Sequence, residues 1–210
     1  NYELIKHIAK KKLPIVLSVG MGNLSEIDEA IRVIESQNNF KIIILYCVSI
    51  YPPKNKDFNL KNIITLKKNY NYPVGFSDHS IGTDLSLAAV ALGACFIEKH
   101  FTIDKNMEGW DHKISSDPKE LKVITSGSKN IHEALGSYRI NRVENIDRIE
   151  AFRRSIVARK KIKKGQVIKK NMLDFKRPGT GLSPKNINRI IGKKIKRKIK
   201  FDEILKEEDF

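Results

Sequence analysis

Along the first 135 residues, short apolar runs alternate with longer amphipathic stretches. YELIKHIAKKKL has the spacing of the end of a helix, and Pro14 leads into IVLSV, a short run expected to form a buried strand. GMGN reads as a turn. Ser25 or Asn23 is placed to cap a helix over EIDEAIRVIESQ, with Ile27, Ala30, Ile31 and Ile34 on its apolar face. KIIILYCV is a continuous apolar run, of the kind found where both faces of a parallel sheet are covered. SIYPPKNKDFNL is a polar loop whose two prolines exclude regular helix.

The pattern then repeats. Residues 60–69 are expected to form a short helix, and YPVGFS a third strand. Thr83 or Asp84 can start the helix LSLAAVALG, Gly93 can end it, and ACFIEKHFT is the fourth strand. Strand and helix alternate with a unit of about 25 to 30 residues, which is βα repetition. An open doubly wound sheet and a TIM barrel both fit, and four strands make only half of a barrel. After a charged loop, Asp117-Pro118 opens the helix PKELKVITSGSKNIHEAL, with Gly136 as its stop.

Residues 137–152 are polar and charged, and read as a linker. From Arg153 the character changes to short strand candidates, SIVARK, QVI and LDFKR, broken by KKG and PGTG. SPKNINRIIG reads as a short helix, and a final IKRKIKFDEIL segment follows. The expected organisation is a βα region over 1–136, a linker over 137–152, and a small β-rich domain over 153–210.

Composition narrows the function classes. At 210 residues the chain can bury a core without a disulfide or a metal staple. No apolar stretch reaches the roughly 18 residues of a membrane span. There is also no signal-peptide pattern, so a soluble cytoplasmic protein with no membrane partner is expected. Cys47 and Cys95 each fall inside an apolar run without a CxxC, and both are expected to be buried thiols in a reducing compartment. The chain opens at Asn1, without a methionine and already in a helix-like segment, which suggests a piece of a longer protein.

Forty Lys and Arg against 24 Asp and Glu give a net charge of +16, which raises nucleic acid as a partner. Much of the excess lies in RRSIVARKKIKKG, VIKKN and GKKIKRKIK, where basic residues alternate with Ile and Val. Such lysines can be the solvated face of strands, or can attract an anionic small substrate. Neither an arginine-rich tail nor a stacking series of aromatics supports nucleic acid, and none is expected.

The candidate chemistry sits at strand ends. His79 follows the strand YPVGFS and His100 follows ACFIEK, one helical crossover apart, so both imidazoles return to the edge where α/β proteins place their ligands. Two neutral histidines suit Mn, Fe, Co or Zn better than Mg or Ca, with water or substrate oxygens completing the shell. Two edge histidines that merely hydrogen bond are the plainer alternative. Ser18, Ser49 and Ser77 lie at three successive strand ends, where hydroxyls and backbone amides can bind phosphate oxygens. Asp78 and Glu98 can orient imidazoles or substrate hydroxyls.

Other positions are less committed. Asp111 in MEGWDHKISS can accept hydroxyls from a polar ligand or be plain surface, and His112 beside it favours surface over a third ligand. Tyr51 can be a substrate wall or a loop anchor. Arg177, before Pro178, can reach a polar ligand or form a structural salt bridge.

PIVLSVGM, YCVSIYPP, PVGFSDHS, ALGACFIEKHFT and GWDHKIS, then RPGTGLSP and IIGKK, occur in order along the whole chain. Together they resemble the sialic acid synthase (NeuB) family, whose members condense phosphoenolpyruvate with an N-acylated amino sugar. The resemblance implies a partial TIM barrel, its last four βα units, followed by a small β-rich SAF domain of the antifreeze-like, β-clip kind. It implies that His79 and His100 bind a divalent metal, usually manganese, that Ser18, Ser49 and Ser77 surround phosphoenolpyruvate, and that Tyr51 and Asp111 contact the amino sugar. Arg177 matches the SAF-domain arginine that reaches into the partner subunit's site in a domain-swapped homodimer. The product would be a nine-carbon 2-keto sugar acid, by an N-acetylneuraminate synthase or a legionaminic or pseudaminic acid synthase. The family's earlier strands, with further substrate-binding lysines and a glutamate, are absent from these residues, and half a barrel is not expected to catalyse alone.

Overall fold

The computed structural model describes all 210 residues, as two compact units, Asn1–Tyr138 and Arg139–Phe210. The first unit contains α1 (Tyr2–Ala9), β1 (Ile15–Ser18), α2 (Leu24–Glu35), β2 (Ile42–Cys47), α3 (Asn62–Asn69), β3 (Val74–Asp78), α4 (Asp84–Ala91), β4 (Ile97–Lys99) and α5 (Pro118–Leu135). The four strands form one parallel sheet in the order β1-β2-β3-β4, the arrangement of half a barrel.

Local chemistry sets the element ends. Asn23, rather than Ser25, caps α2: its side chain accepts from the Glu26 amide, while Glu26 returns a bond to the Asn23 amide. Asp117 does the same for α5 with Glu120, and Pro118 takes the first helical position, where no amide is needed. Gly93 adopts φ +94° after α4, a conformation that suits glycine.

Ile27, Ile31 and Ile34 of α2, Ile42 and Ile44 of β2, Ile63 and Leu66 of α3, and Val74 and Phe76 of β3 form one core. Full burial of a side chain such as Phe76 stabilises by about 1.5–3 kcal/mol. The inner strands differ from the outer ones. All five residues of β3 are buried, while β1 and β4 alternate between half-buried and exposed because each has a neighbour on one side only. Cys47 is buried within β2, but Cys95 is exposed, against expectation. It lies in the turn before β4, where no further strand covers it.

The second unit contains α6 (Ile146–Phe152), β5 (Ser155–Ala158), β6 (Leu173–Lys176) and α7 (Ile187–Ile190). The stretch read as a linker therefore holds a helix, started by the Asn145 side chain accepting from the Arg148 amide. β5 and β6 pair antiparallel. The expected strand at QVI reduces to one bridge, between Val167 and Lys194, and a second bridge joins Ile162 to Ile199. Ile156, Ile162, Ile168, Ile190, Ile195 and Ile199 form the core, while Lys161, Lys163, Lys164, Lys194, Lys196 and Lys198 stand exposed between them in sequence. No helix of the chain is long and apolar enough to cross a membrane.

Candidate functional site

The sheet register decides which side chains meet. Cys47 is the partner of Ser77, Ser77 of Glu98, and Asp78 of Lys99. Because a strand alternates its side chains, Ser77 and His79 share one face of β3, and Glu98 and His100 extend that face on β4.

His79 and His100 do converge: their ring centroids are 5.4 Å apart. The Tyr51 ring lies 4.3 Å from that of His79 and 5.9 Å from that of His100, which it meets edge-on. His79 Nδ1 is 2.8 Å from the carbonyl oxygen of Val48. A carbonyl only accepts, so Nδ1 carries the proton and Nε2 carries the lone pair. Ser77 Oγ is 3.5 Å from that Nε2 but 2.7 Å from Glu98 Oε1. The carboxylate takes the single hydroxyl proton, so Nε2 keeps its lone pair for a ligand. His100 Nδ1 lies 3.7 Å from Asp111 Oδ2, which brings the half-exposed Asp111 to the same place.

A second group adjoins it. Ser18 Oγ and Cys47 Sγ are 3.0 Å apart, and Ser49 and Cys47 close around Gly20, where an added Cβ would lie 2.6 Å from Cys47 Sγ and would collide with Ser49 Oγ. Gly20, Cys47, Lys99 and the Val48 carbonyl were not singled out as site-forming from the sequence. The only signal was position: Gly20 directly follows a strand end, and Lys99 directly precedes His100.

Asp78, expected to orient an imidazole or a substrate hydroxyl, makes no direct hydrogen bond to either imidazole. Asp78 points to the opposite face of β3, fully buried, and its carboxylate accepts from the Ser80 amide (2.8 Å) and Ser86 Oγ (2.5 Å) and pairs with Lys99 Nζ (3.0 Å). His112 is engaged locally, with Nδ1 2.7 Å from Thr102 Oγ1. In the second unit, Arg177 is exposed, follows Lys176 at the end of β6, and holds its guanidinium 4.9 Å over the Phe152 ring.

No group of three or more His, Cys, Asp or Glu is gathered to hold a metal ion. The donor set fits an ion differently: two neighbouring imidazoles, one with its tautomer held by a backbone carbonyl, leave the remaining positions to oxygens from water or substrate. Burial first, then hydrogen bonds to Asp28 and Glu35, push Tyr70 and Tyr72 up to about 12.

A parallel half-barrel with imidazoles, hydroxyls and carboxylates along its carboxyl edge defines an α/β protein with a ligand site of the barrel type. The family profile described as NeuB matches residues 1–139, and the SAF domain matches residues 153–210. The chain belongs to the NeuB family. It is 42% identical over 212 residues to the N,N'-diacetyllegionaminic acid synthase of Campylobacter jejuni, covering 99% of this chain and 63% of that protein. It is 33% identical over 212 residues to the human N-acetylneuraminate-9-phosphate synthase, covering 99% of this chain and 58% of that one. Among solved structures, the N-acetylneuraminic acid synthetase of Leptospira borgpetersenii, in complex with citrate, aligns with a TM-score of 0.64 at 39% identity, covering 67% of this chain and 49% of that chain. The chain spans about three fifths of the length of the curated relatives it matches.

Proposed function

We propose that this chain supplies the metal-binding and substrate-binding edge of an enzyme that condenses phosphoenolpyruvate with an N-acylated amino sugar, N-acetylmannosamine or a relative. The observation that carries this reading is the convergence of His79 and His100, with Nε2 of His79 left free by the Val48 carbonyl and the Ser77–Glu98 bond. Membership of the NeuB family and the names of its relatives support the substrate class.

In this reading His79 and His100 hold a divalent ion, Mn2+ by preference. The bound ion supplies Lewis acidity, drawing electrons from the aldehyde of the open-chain sugar. Ser18, Ser49 and Ser77, with nearby backbone amides, bind the anionic groups of phosphoenolpyruvate. Glu98 accepts the Ser77 hydroxyl, so it sets where that oxygen can meet a ligand. Tyr51 and Asp111 bind the amino sugar beside the imidazoles, and Arg177 serves the partner subunit's site in a domain-swapped homodimer.

The bonds balance without another reactant than water. C3 of phosphoenolpyruvate forms a bond to the aldehyde carbon, water adds at C2, and phosphate leaves with C–O cleavage. A nine-carbon 2-keto sugar acid results. The likeness to a diacetyllegionaminic acid synthase favours, as a second reading, a diacetylated 6-deoxy sugar in place of N-acetylmannosamine.

The test is phosphate release by the complete protein that contains this chain, with each sugar and with manganese added or chelated. Manganese-dependent release with one sugar upholds the reading and names the substrate. Absence of release with every sugar overturns it in favour of a non-catalytic carbohydrate-binding remnant.

A further inference from the structure

The two histidines each follow a charged residue, and those two residues are register partners across the sheet: Asp78 precedes His79, Lys99 precedes His100, and Asp78 pairs with Lys99. The Asp78 side chain is 0% exposed and that of Lys99 is 5% exposed. In every other salt bridge of the chain at least one side chain is more than a quarter exposed to solvent. We propose that the Asp78–Lys99 pair is the positioning element that sets the separation and facing of the two imidazoles.

Three observations carry this. The carboxylate collects donors from three places, the Ser80 amide in the loop after β3, Ser86 Oγ on α4, and Lys99 Nζ on β4. Lys99 Nζ also donates to the Ser80 carbonyl at 2.5 Å, so the pair closes on the loop that begins with His79. Secondly, β4 is short and has a strand on one side only, and its pairing with β3 ends at Lys99. His100 thus lies just beyond the last paired residue, and the Lys99 side chain, with the Glu98–Ser77 bond one residue earlier, ties that end of the chain back to β3 and its loop.

Thirdly, the pair makes poor sense as a stability device. Taking two charges out of water costs about as much as their attraction returns, and apolar residues of similar volume commonly do as well or better. Apolar side chains, however, have no direction. A carboxylate met by three directed donors holds the chain to one geometry a single residue away from each imidazole.

The inference rests on the proposed metal site, and the test separates the two. In the double variant Asp78→Asn/Lys99→Met no buried charge is left unpaired, and the Asn oxygen can still accept from Ser80. The 210-residue chain and this variant are titrated with Mn2+, reading free ion by electron paramagnetic resonance, with thermal unfolding followed in parallel. The expected result is a folded variant whose Kd for Mn2+ rises by about 10- to 100-fold, the usual effect of losing a partner behind a metal ligand. Ile34→Val, in the core away from the site, is the control: it lowers Tm and leaves the Kd unchanged.

A folded double variant with a Kd within about twofold of the parent overturns the proposal. Should the double variant not fold, Ser86→Ala, which removes one donor from Asp78 and strands no charge, is expected to raise the Kd several-fold, and an unchanged Kd overturns the proposal. If the parent chain itself binds no Mn2+, the metal reading fails, and the pair is judged by nuclear magnetic resonance on the His79 Nδ1–H signal and the cross-relaxation between the two rings. Loss of both in the variants upholds the positioning role, and their retention overturns it.

Discussion

His79, the first residue beyond β3, donates its Nδ1 proton to the carbonyl of Val48, the first residue beyond β2, across 2.8 Å. One backbone group thereby fixes the tautomer, holds the ring 5.4 Å from that of His100, and leaves Nε2 with its lone pair. If that arrangement holds an ion, Mn2+ at about 100 times its Kd should stabilise the chain by about 2.7 kcal/mol. His79→Ala and His100→Ala should each abolish the manganese-dependent rise in Tm, read by calorimetry with and without the ion.

Gly20 is the point of closest packing in the serine group. Gly20→Ala would put a methyl 2.6 Å from Cys47 Sγ and into Ser49 Oγ, so one of these side chains must leave its place. Overpacking of this kind costs about 1–3 kcal/mol. We expect the variant to fold with lowered Tm, and the complete protein carrying it to bind phosphoenolpyruvate about tenfold more weakly by titration calorimetry, the loss of one oriented hydrogen bond. Unchanged affinity would separate the serine group from phosphoenolpyruvate.

Tyr70 and Tyr72 tie the segment entering β3 to α2, through Asp28 and Glu35, each at 2.6 Å. Both are raised from 10.0 to about 12, by burial first and by these hydrogen bonds next. A group whose folded value lies above its unfolded value contributes stability that is whole below pH 10 and lost as pH rises to 12. Tyr70→Phe/Tyr72→Phe should be less stable at pH 8 and show a flatter decline of Tm between pH 10 and 12 than the parent.

Ile156 is fully buried in the core of the second unit, which shares no member with the core of the first. Ile156→Ala should cost about 2–5 kcal/mol. Hydrogen exchange should report that loss as faster exchange of amides within Arg139–Phe210, with protection in β2 and β3 unchanged.

Much of the first unit was legible from spacing. Apolar runs of strand length, helices with Ile27, Ala30, Ile31 and Ile34 on one face, and the Asp117-Pro118 start all act within a few residues, where side-chain chemistry and backbone hydrogen bonds decide the outcome. The histidine pair was legible for the same reason: a single crossover returns the chain to the same edge.

What failed to read depended on partners remote in sequence. Asp78 sits between Ser77 and His79, yet the alternation of β3 turns it to α4 and Lys99. Cys95 lies in an apolar run, yet is exposed because β4 ends the sheet. QVI has strand composition, yet its backbone finds only one bridge.

By itself, then, the sequence determined the βα order, the Asp117-Pro118 start of α5 and the edge on which His79 and His100 emerge, because periodicity and capping are local. Only the tertiary structure decided that Val48 sets the His79 tautomer, that Ser77 spends its proton on Glu98, and that Asp78 serves Lys99 rather than a ligand. Those outcomes follow from strand register, which brings together residues 21 to 31 positions apart and which no local pattern encodes.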